Sequence, residues 1–451
     1  MGPSLAKSLP KVLHLVAGSP MLAHVLDAVG AATAGMPANI VVVVGRGAQQ
    51  VQEMFPSTPA AGRSLRFVEQ SQQLGTGHAV LQAAPLLDDA APTLVLYGDV
   101  PLIRPATIKR LFALGDDVGL LTVQLAQPAG YGRIVRDRRG NVLRVVEERD
   151  ASEEEHGLTE VNTGILIAPT AKLKLWLKAL SNNNAQREYY LPDVIAQAVA
   201  QQCAVVAVEC TDPDEVRGVN SKEELATVER AAQRRVASEL MERGATLADP
   251  ARIDVRGKVT VGAEVSIDVG CVFEGQVDLA DSVRIGAYCV LRDCSVGAGT
   301  EVLPFSHMTG ATIGAAARIG PYSRLRPGAQ LSDEVHIGNF VEVKASTLGR
   351  ASKANHLAYV GDATVGANVN IGAGTITANY DGARKHRTVI GDDVSIGSNA
   401  VLVAPVTIGQ GATIAGGSVI SKNAPEGKLT VARAKQTTRD GWKRPTKEKK
   451  A

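Results

Sequence analysis

Residues 390–420 read IGDDVSIGSNAVLVAPVTIGQGATIAGGSVI. Aliphatic side chains fall on Ile390, Ile396, Leu402, Ile408, Ile414 and Ile420, one every sixth position, and glycine follows several of them. Such a period matches neither the roughly 3.6 of an α-helix nor the roughly 2 of an ordinary strand. It fits a parallel β-helix of triangular section, in which each hexad forms one side and its aliphatic residue points inward. Three hexads close one coil, and glycine after the inward residue is expected to accommodate the corner geometry.

The same spacing extends backwards through Ile313, Ile319, Leu325, Leu331, Ile337 and Val343. It begins with Val255, Val261, Ile267, Phe273, Leu279, Ile285 and Leu291. Roughly nine or ten coils are expected after about residue 251, each burying its face only by stacking on its neighbours. The period slips at ITANYDGARKHRTV (376–389), which reads as a bulge or a functional arm. The tail WKRPTKEKKA reads as a solvated basic end.

Before residue 221 the pattern differs. Apolar strands are expected at 39–45, 65–70, 93–99, 118–125 and 161–168, with helices over 22–34 and 77–87. Continuous Val/Ile/Leu strands between helices imply a mostly parallel sheet covered on both faces, with ligands at the carboxyl ends of its strands. Residues 221–244 form a charged helix ended by Gly244, and Ser221 opens it with S-x-x-E, a capping box.

Composition narrows the function classes. The chain has 451 residues, a net charge of +2 and only 4% aromatic residues. Neither charge nor stacking surface favours nucleic acid or an anionic membrane. The five cysteines lack metal-site spacing and read as small buried hydrophobes. No run reaches the roughly 18 apolar residues of a membrane span. Lys7 and Lys11 before VLHLVAG only imitate a signal peptide, and Ala6 stands where myristoylation needs Ser or Thr. A cytoplasmic protein is expected.

Hexapeptide β-helices of the left-handed kind are common in acyltransferases, so a base for an amine or hydroxyl is sought. His356 in ASKANHLAYVGD is the candidate, because imidazole titrates near working pH; the alternative is a surface or corner histidine. Arg326 and Lys344 lie 18 residues apart, one full coil, and would stack as a phosphate clamp, or else pair with Asp333 or Glu342. In YGDVP (97–101), Asp99 ends a strand where a metal-binding carboxylate belongs, or it is a cap or turn residue. LGTGHA (74–79) is a glycine turn into a helix.

RLRPGAQL (324–331) and HIGNFVEVKASTLGRASKANHLAYVGDATVGANVNIGAGTITANYDG (336–382) carry a resemblance over almost the whole chain. They resemble the bacterial bifunctional family in which a glucosamine-1-phosphate N-acetyltransferase is joined to an N-acetylglucosamine-1-phosphate uridylyltransferase. LGTGHA, EVNTGI (160–165) and GVNSKEEL (218–225) are similar to that family's first half. The resemblance implies an α/β nucleotidyltransferase domain over 1–220, Rossmann-like with a mostly parallel sheet, and a helical linker over 221–244. A left-handed parallel β-helix of hexapeptide repeats over 245–440 and a basic tail over 441–451 would follow.

By the same resemblance, His356 is the general base for the sugar amine, which attacks the acetyl-CoA thioester. Arg326 and Lys344 would hold the sugar phosphate, and Tyr359 and Asn370 the sugar. Ala373, Asn379, Tyr380, Ser398, Gly416 and Arg433 match acetyl-CoA contacts, with Gly416 standing where alanine is more usual. Gln70, Gly75 and Thr76 match contacts to the uracil nucleotide. Tyr97, Gly98, Gly132, Glu147 and Asn162 would line the nucleotide and sugar site, Lys11 the phosphates, and Asp99 and Asn220 would hold Mg²⁺. The partners implied are these small molecules and two further copies of the chain in a trimer that shares its acetyl sites, with no nucleic acid and no membrane.

One departure stands at the beginning. The family's domain opens with a strand and a glycine-rich loop ending Gly-Thr-Arg-Met, whereas here the pattern resumes at SLPKVLH (8–14). Without that loop the triphosphate loses backbone N–H donors, which is expected to damage uridylyl transfer severely, and strands beside the missing one would keep unpaired edges. A start upstream of Met1 is expected; the alternative is an acetyltransferase alone. Other readings are a different sugar-nucleotide pyrophosphorylase and a non-catalytic regulatory or scaffold protein of the same layout. Thiol release from acetyl-CoA discriminates against the scaffold.

Overall fold

A computed structural model describes residues 9–56 and 63–446. The chain forms two compact units, Met1–Ala232 and Gln233–Ala451. The division falls inside the helix Lys222–Glu242. That helix opens with the expected capping box: Glu224 N–H donates to Ser221 Oγ at 3.1 Å, and Ser221 N–H donates to Glu224 Oε2 at 2.9 Å.

The first unit contains β1 (Ala38–Val44), β2 (Arg63–Glu69), β3 (Pro92–Val95), β4 (Val118–Gln124), β5 (Arg133–Arg136), β6 (Val142–Val146), β7 (Glu160–Pro169) and β8 (Val205–Cys210). The main sheet runs β8-β4-β7-β5-β6, with β3 also paired to β7. β8 and β4 are parallel, and β7 runs antiparallel to β3, β4 and β5. Alternate residues of β4 serve two cores. Val118 and Leu120 meet Leu173, Trp176, Val194 and Ile195 on one face. Leu121 and Val123 meet Ile108 and Leu111 on the other. Both faces are therefore dry, which the near-continuous apolar strands require.

β1 pairs with β2 in a separate parallel two-stranded sheet. Among the described residues no strand lies between β1 and β3. An apolar cavity of about 790 Å³ is lined there by Val41 and Val43 of β1, Leu94 and Leu96, and Val25 and Val29 of the helix Met21–Ala32. The expectations about the segment before Leu9 lie outside the described residues.

One strand reading needs correction. The strand expected over 93–99 ends at Val95, and Gly98 and Asp99 lie in a turn. Its partner β7 has Gly164 in the left-handed region (φ +80°), packed against Tyr97, so the ladder cannot continue regularly. Strands β5, β6 and β8 carry short patterns and escape the sequence reading.

The second unit is the β-helix. One face is an eleven-stranded parallel ladder, in which Ile267 faces Ile285 and Ile396 faces Ile414. Of the hexad residues, all but Val261 are buried in one continuous core, and Val261 packs partly buried against it. Coils are not uniformly 18 residues: Val302 faces Ile319 across a 17-residue coil. Sides of five residues, as from Leu291 to Val296 and from Val343 to Leu348, shorten them.

Glycine after the inward residue has a different cause from the one expected. A Cβ at Gly338 would stand 2.0 Å from the Asn355 carbonyl oxygen of the next coil, and one at Gly314 2.6 Å from Asp333 N. Close approach of the neighbouring backbone is what excludes a side chain there. Left-handed corner conformations are instead adopted by Tyr288, Phe305, Tyr322, Phe340 and Leu357, at φ between 51° and 62°. Such a backbone costs about 1–2 kcal/mol per residue, offset in part by ring stacking. The four aromatic rings form a ladder along one corner, with centroids 5.4, 5.0 and 5.6 Å apart.

All five cysteines are free thiols. Burial pushes the Cys271 thiol to about 11 and the Cys289 thiol to about 12, so both stay protonated and inert. No helix among the described residues is long and apolar enough to cross a membrane.

Candidate functional site

In the first unit the singled-out residues converge. Lys11 sits in a single 3-10 turn, Lys11–Leu13. Its ammonium pairs with the Asp99 carboxylate and donates to Asn220 Oδ1 at 2.5 Å. The Asp99 carbonyl accepts from Val219 N–H at 3.1 Å, which ties the two segments together. Two oxygens thus face one cationic centre. A hard divalent cation fits that donor set if phosphate and water complete its shell.

Tyr97, two residues before Asp99, lies beside the Thr76 hydroxyl. Burial, then the Glu147 and Asp99 charges, push its phenol upward, so it stays a neutral donor. Its ring fills the space over Gly164, where a Cβ would come within 2.6 Å of it. Thr76 Oγ1 accepts from Leu191 N–H at 3.1 Å. Gln70 donates through Nε2 to the Gly75 carbonyl at 3.1 Å and lies 3.0 Å from His78 Nδ1, a partner the sequence reading missed. Gly75 has φ +108°, and a Cβ there would stand 2.7 Å from the Tyr189 carbonyl oxygen. Gly98 lies against Val12.

On the other wall, Asn162 N–H donates to the Gly132 carbonyl at 2.8 Å, and Asn162 Oδ1 accepts from Gly164 N–H at 3.0 Å. Glu147 Oε1 lies beside Gly132. Its carboxyl is pushed up by burial, then by Asp193 and Asp150. Neither acid was singled out, since their positions in sequence carry no pattern.

The second unit places its candidates on two adjacent faces. The strands are β9 (Arg324–Leu325), β10 (His336–Asn339), β11 (Glu342–Lys344), β12 (Lys353–His356), β13 (Tyr359–Gly361) and β14 (Asn370–Ile371). β9, β11 and β13 stack on one face, β10, β12 and β14 on the adjacent one. His356 closes β12, and Tyr359 opens β13 just past the corner at Leu357. Asn370 stacks on Lys353 of β12. Arg326 N–H donates to the Val343 carbonyl at 2.8 Å, which sets it beside Lys344.

Each cation has its own carboxylate. Arg326 Nη1 donates to Glu342 Oε1 at 2.8 Å, and Lys344 Nζ lies 3.8 Å from Asp362 Oδ2. Asp333 serves elsewhere, accepting from Ala315 N–H at 2.7 Å. Asn379 Nδ2 reaches Asp362 Oδ2 at 2.5 Å and Tyr359 Oη at 3.4 Å. Lys385 adds a third cation that the sequence reading missed: contact with the Lys344 ammonium pushes its own proton affinity down. Like charges held together mark a place where an anion is favoured.

Lys385 belongs to the segment 376–389, which is a built arm. Asp381 accepts from Ala383 N–H at 2.8 Å, Arg384 N–H at 2.7 Å and His386 Nε2 at 2.6 Å. Tyr380, 63% exposed, donates its hydroxyl to the Gly382 carbonyl at 2.6 Å.

Beyond the corner, successive coils stack the remaining candidates. Asn399 N–H donates to the Ala373 carbonyl at 2.7 Å, beside Ser398. Gly417 N–H donates to the Ser398 carbonyl at 2.8 Å, and Arg433 Nη1 to the Gly416 carbonyl at 2.7 Å. A Cβ at Gly416 would stand 3.2 Å from the Ser398 carbonyl oxygen, so glycine leaves that backbone uncrowded.

Residues 1–157 match the MobA-like NTP transferase domain, and residues 387–422 match the bacterial transferase hexapeptide of six repeats. The "Bifunctional protein GlmU" of Ralstonia pickettii is 57% identical over 452 residues, covering 100% of this chain and 98% of the relative. The proteins of the same name from Cupriavidus pinatubonensis and Herminiimonas arsenicoxydans are 57% and 55% identical at the same coverage. A solved UDP-glucose pyrophosphorylase complexed with UDP-glucose aligns over 51% of this chain and 92% of its own, at TM-score 0.41 and 17% identity.

A nucleotidyltransferase unit joined to a hexapeptide-repeat unit defines a two-domain transferase. The chain belongs to the bifunctional GlmU family. It is an enzyme with acetyltransferase and uridylyltransferase activity, and the acetyltransferase-only and scaffold alternatives are not favoured.

Proposed function

We propose that the β-helix unit acetylates glucosamine-1-phosphate and that the α/β unit then joins the N-acetylated product to UMP from UTP. The boundaries are 1–220 for the uridylyl half, 221–244 for the connecting helix, 245–440 for the acetyl half and 441–451 for the tail. The observation that carries the first step is the placement of the two cations and the imidazole on adjacent faces. Arg326 and Lys344 stack beside each other on one face, and the His356 imidazole ends the strand of the adjacent face.

The sugar phosphate displaces carboxylates from Arg326 and Lys344, while Tyr359 and Asn370 orient the ring. His356 takes a proton from the amine as its nitrogen forms a bond to the thioester carbonyl; the C–S bond breaks and coenzyme A leaves as thiol. Ala373, Asn379, Tyr380, Ser398, Gly416 and Arg433 hold acetyl-CoA. The chain acts as a homotrimer in the cytoplasm, and cyclic packing of flat solenoid sides suits acetyl sites shared between copies.

In the α/β unit, Gln70, Gly75 and Thr76 hold the uracil nucleotide. Tyr97, Gly98, Gly132, Glu147 and Asn162 line the sugar. Asp99 and Asn220 would hold Mg²⁺, which when bound neutralises the triphosphate. Lys11 transfers its charge from Asp99 to a phosphate. The sugar-phosphate oxygen attacks the α-phosphorus and pyrophosphate leaves, with catalysis mostly positioning.

Paired assays test this reading on the 451-residue chain. One follows thiol release from acetyl-CoA with glucosamine-1-phosphate, the other pyrophosphate release from UTP with N-acetylglucosamine-1-phosphate and Mg²⁺. Both products are expected; absence of thiol release sinks the acetyl assignment.

A further inference from the structure

We infer that Asn339 is a positioning residue for acetyl transfer, holding His356 in the tautomer that leaves Nε2 free to take the amine proton. The inference rests on the reading of His356 as the base. His356 Nδ1 lies 3.0 Å from Asn339 Oδ1. A carbonyl oxygen has no proton to give, so the shared hydrogen belongs to Nδ1. A neutral ring protonated on Nδ1 carries its lone pair on Nε2.

The backbone makes this contact. Asn339 and His356 are register partners in adjacent parallel strands, each the last residue of its strand. Phe340 and Leu357 follow them in the left-handed region, at φ 56° and 51°, so both chains turn away at the same level. Leu357 N–H donates to the Asn339 carbonyl at 3.1 Å, which locks the coil-to-coil spacing beside the pair. Gly338 lets the next coil approach this closely, since a Cβ would meet Asn355 O at 2.0 Å. An exposed imidazole on a strand end would otherwise rotate and share its proton between both nitrogens.

The partner is an amide rather than a carboxylate. It fixes the ring without adding a charge that would favour imidazolium. The titratable groups on the packed elements are His336 on β10, Lys353 on β12, and Glu342, Lys344 and Tyr359 across the corner. Among the described residues, none of them hydrogen-bonds the imidazole.

Thiol release is measured across pH for the full chain and for His356→Ala, Asn339→Ala and Asn339→Asp. His356→Ala is expected to lose about 100-fold or more in kcat. Asn339→Ala is expected to lose about tenfold in kcat, with KM for the sugar phosphate within about twofold. Asn339→Asp still accepts from Nδ1–H, so its alkaline rate stays within about threefold of native while its acid limb moves up by about one pH unit. Loss in His356→Ala with native kcat in Asn339→Ala and an unmoved acid limb in Asn339→Asp overturns the inference and leaves the base intact. Acetyl transfer surviving His356→Ala overturns both. Calorimetric unfolding of the β-helix unit in the same preparations checks that each variant is folded, and the aspartate variant carries the test should the alanine one fail that check.

Discussion

Arg326 is held on Glu342 at 2.8 Å, while Lys344, its neighbour in the stack, leans on Asp362 at 3.8 Å. Separate counter-ions keep the two cations in place and leave both exchangeable. An exposed ion pair is weak, so a phosphate dianion competes for the guanidinium successfully. Arg326→Ala is expected to raise KM for glucosamine-1-phosphate about tenfold or more, with kcat less affected. Glu342→Gln should change KM by less than about threefold. Steady-state thiol release decides it; a larger effect from the glutamine than from the alanine would mean that Glu342 rather than Arg326 touches substrate.

The two chemistries reside in different units, so their losses should separate. Asp99→Ala removes one of the two oxygens around the Lys11 ammonium. Pyrophosphate release should fall by about 100-fold or more, with thiol release unchanged. Parallel progress curves for both products test this, and equal loss of both activities would refute the division.

Glu147 should trade stability for function. Burial, then Asp193 and Asp150, raise its folded-state pKa. A carboxyl raised on folding favours the native state while protonated, below the ordinary carboxylate range, and that contribution is lost as pH rises through the folded value. Glu147→Gln should therefore raise the unfolding midpoint of the first unit by about 2 °C near pH 7.5, with the gain vanishing near about pH 4. Uridylyl transfer should drop. Calorimetry at the two pH values reads it, and a gain that is larger in acid would reverse the sign argued here.

Gly164→Ala is expected to destabilise the first unit by about 1–3 kcal/mol. Its φ of +80° is strained for any Cβ, and the methyl would stand 2.6 Å from the Tyr97 ring. Thermal denaturation followed with uridylyl assays checks it: Tyr97 should lose its place, and acetyl transfer should persist.

The solenoid was legible because inward aliphatic residues repeat, and a period needs no tertiary information. Its phase was not. Five-residue sides shift the register, so counting 18 back from His356 reaches Gly338, whereas its partner is Asn339. Ala354 and Thr377 occupy inward positions without an aliphatic signature and interrupt the visible repeat. In the first unit, long apolar strands stood out, but Asp150, Asp193 and His78 act through folding that joins distant segments. Lys385 was hidden inside an arm whose shape depends on Asp381.

The corner ladder has an optical consequence. Tyr288, Phe305, Tyr322 and Phe340 are chromophores in van der Waals register, so their near-ultraviolet dichroism reports closure of the coils. Of the two tryptophans, Trp176 is 1% exposed inside the first unit, whereas Trp442 is 69% exposed on the tail and already emits as a solvated indole. A change in tryptophan emission therefore follows melting of the α/β unit, the half of the chain that holds Trp176.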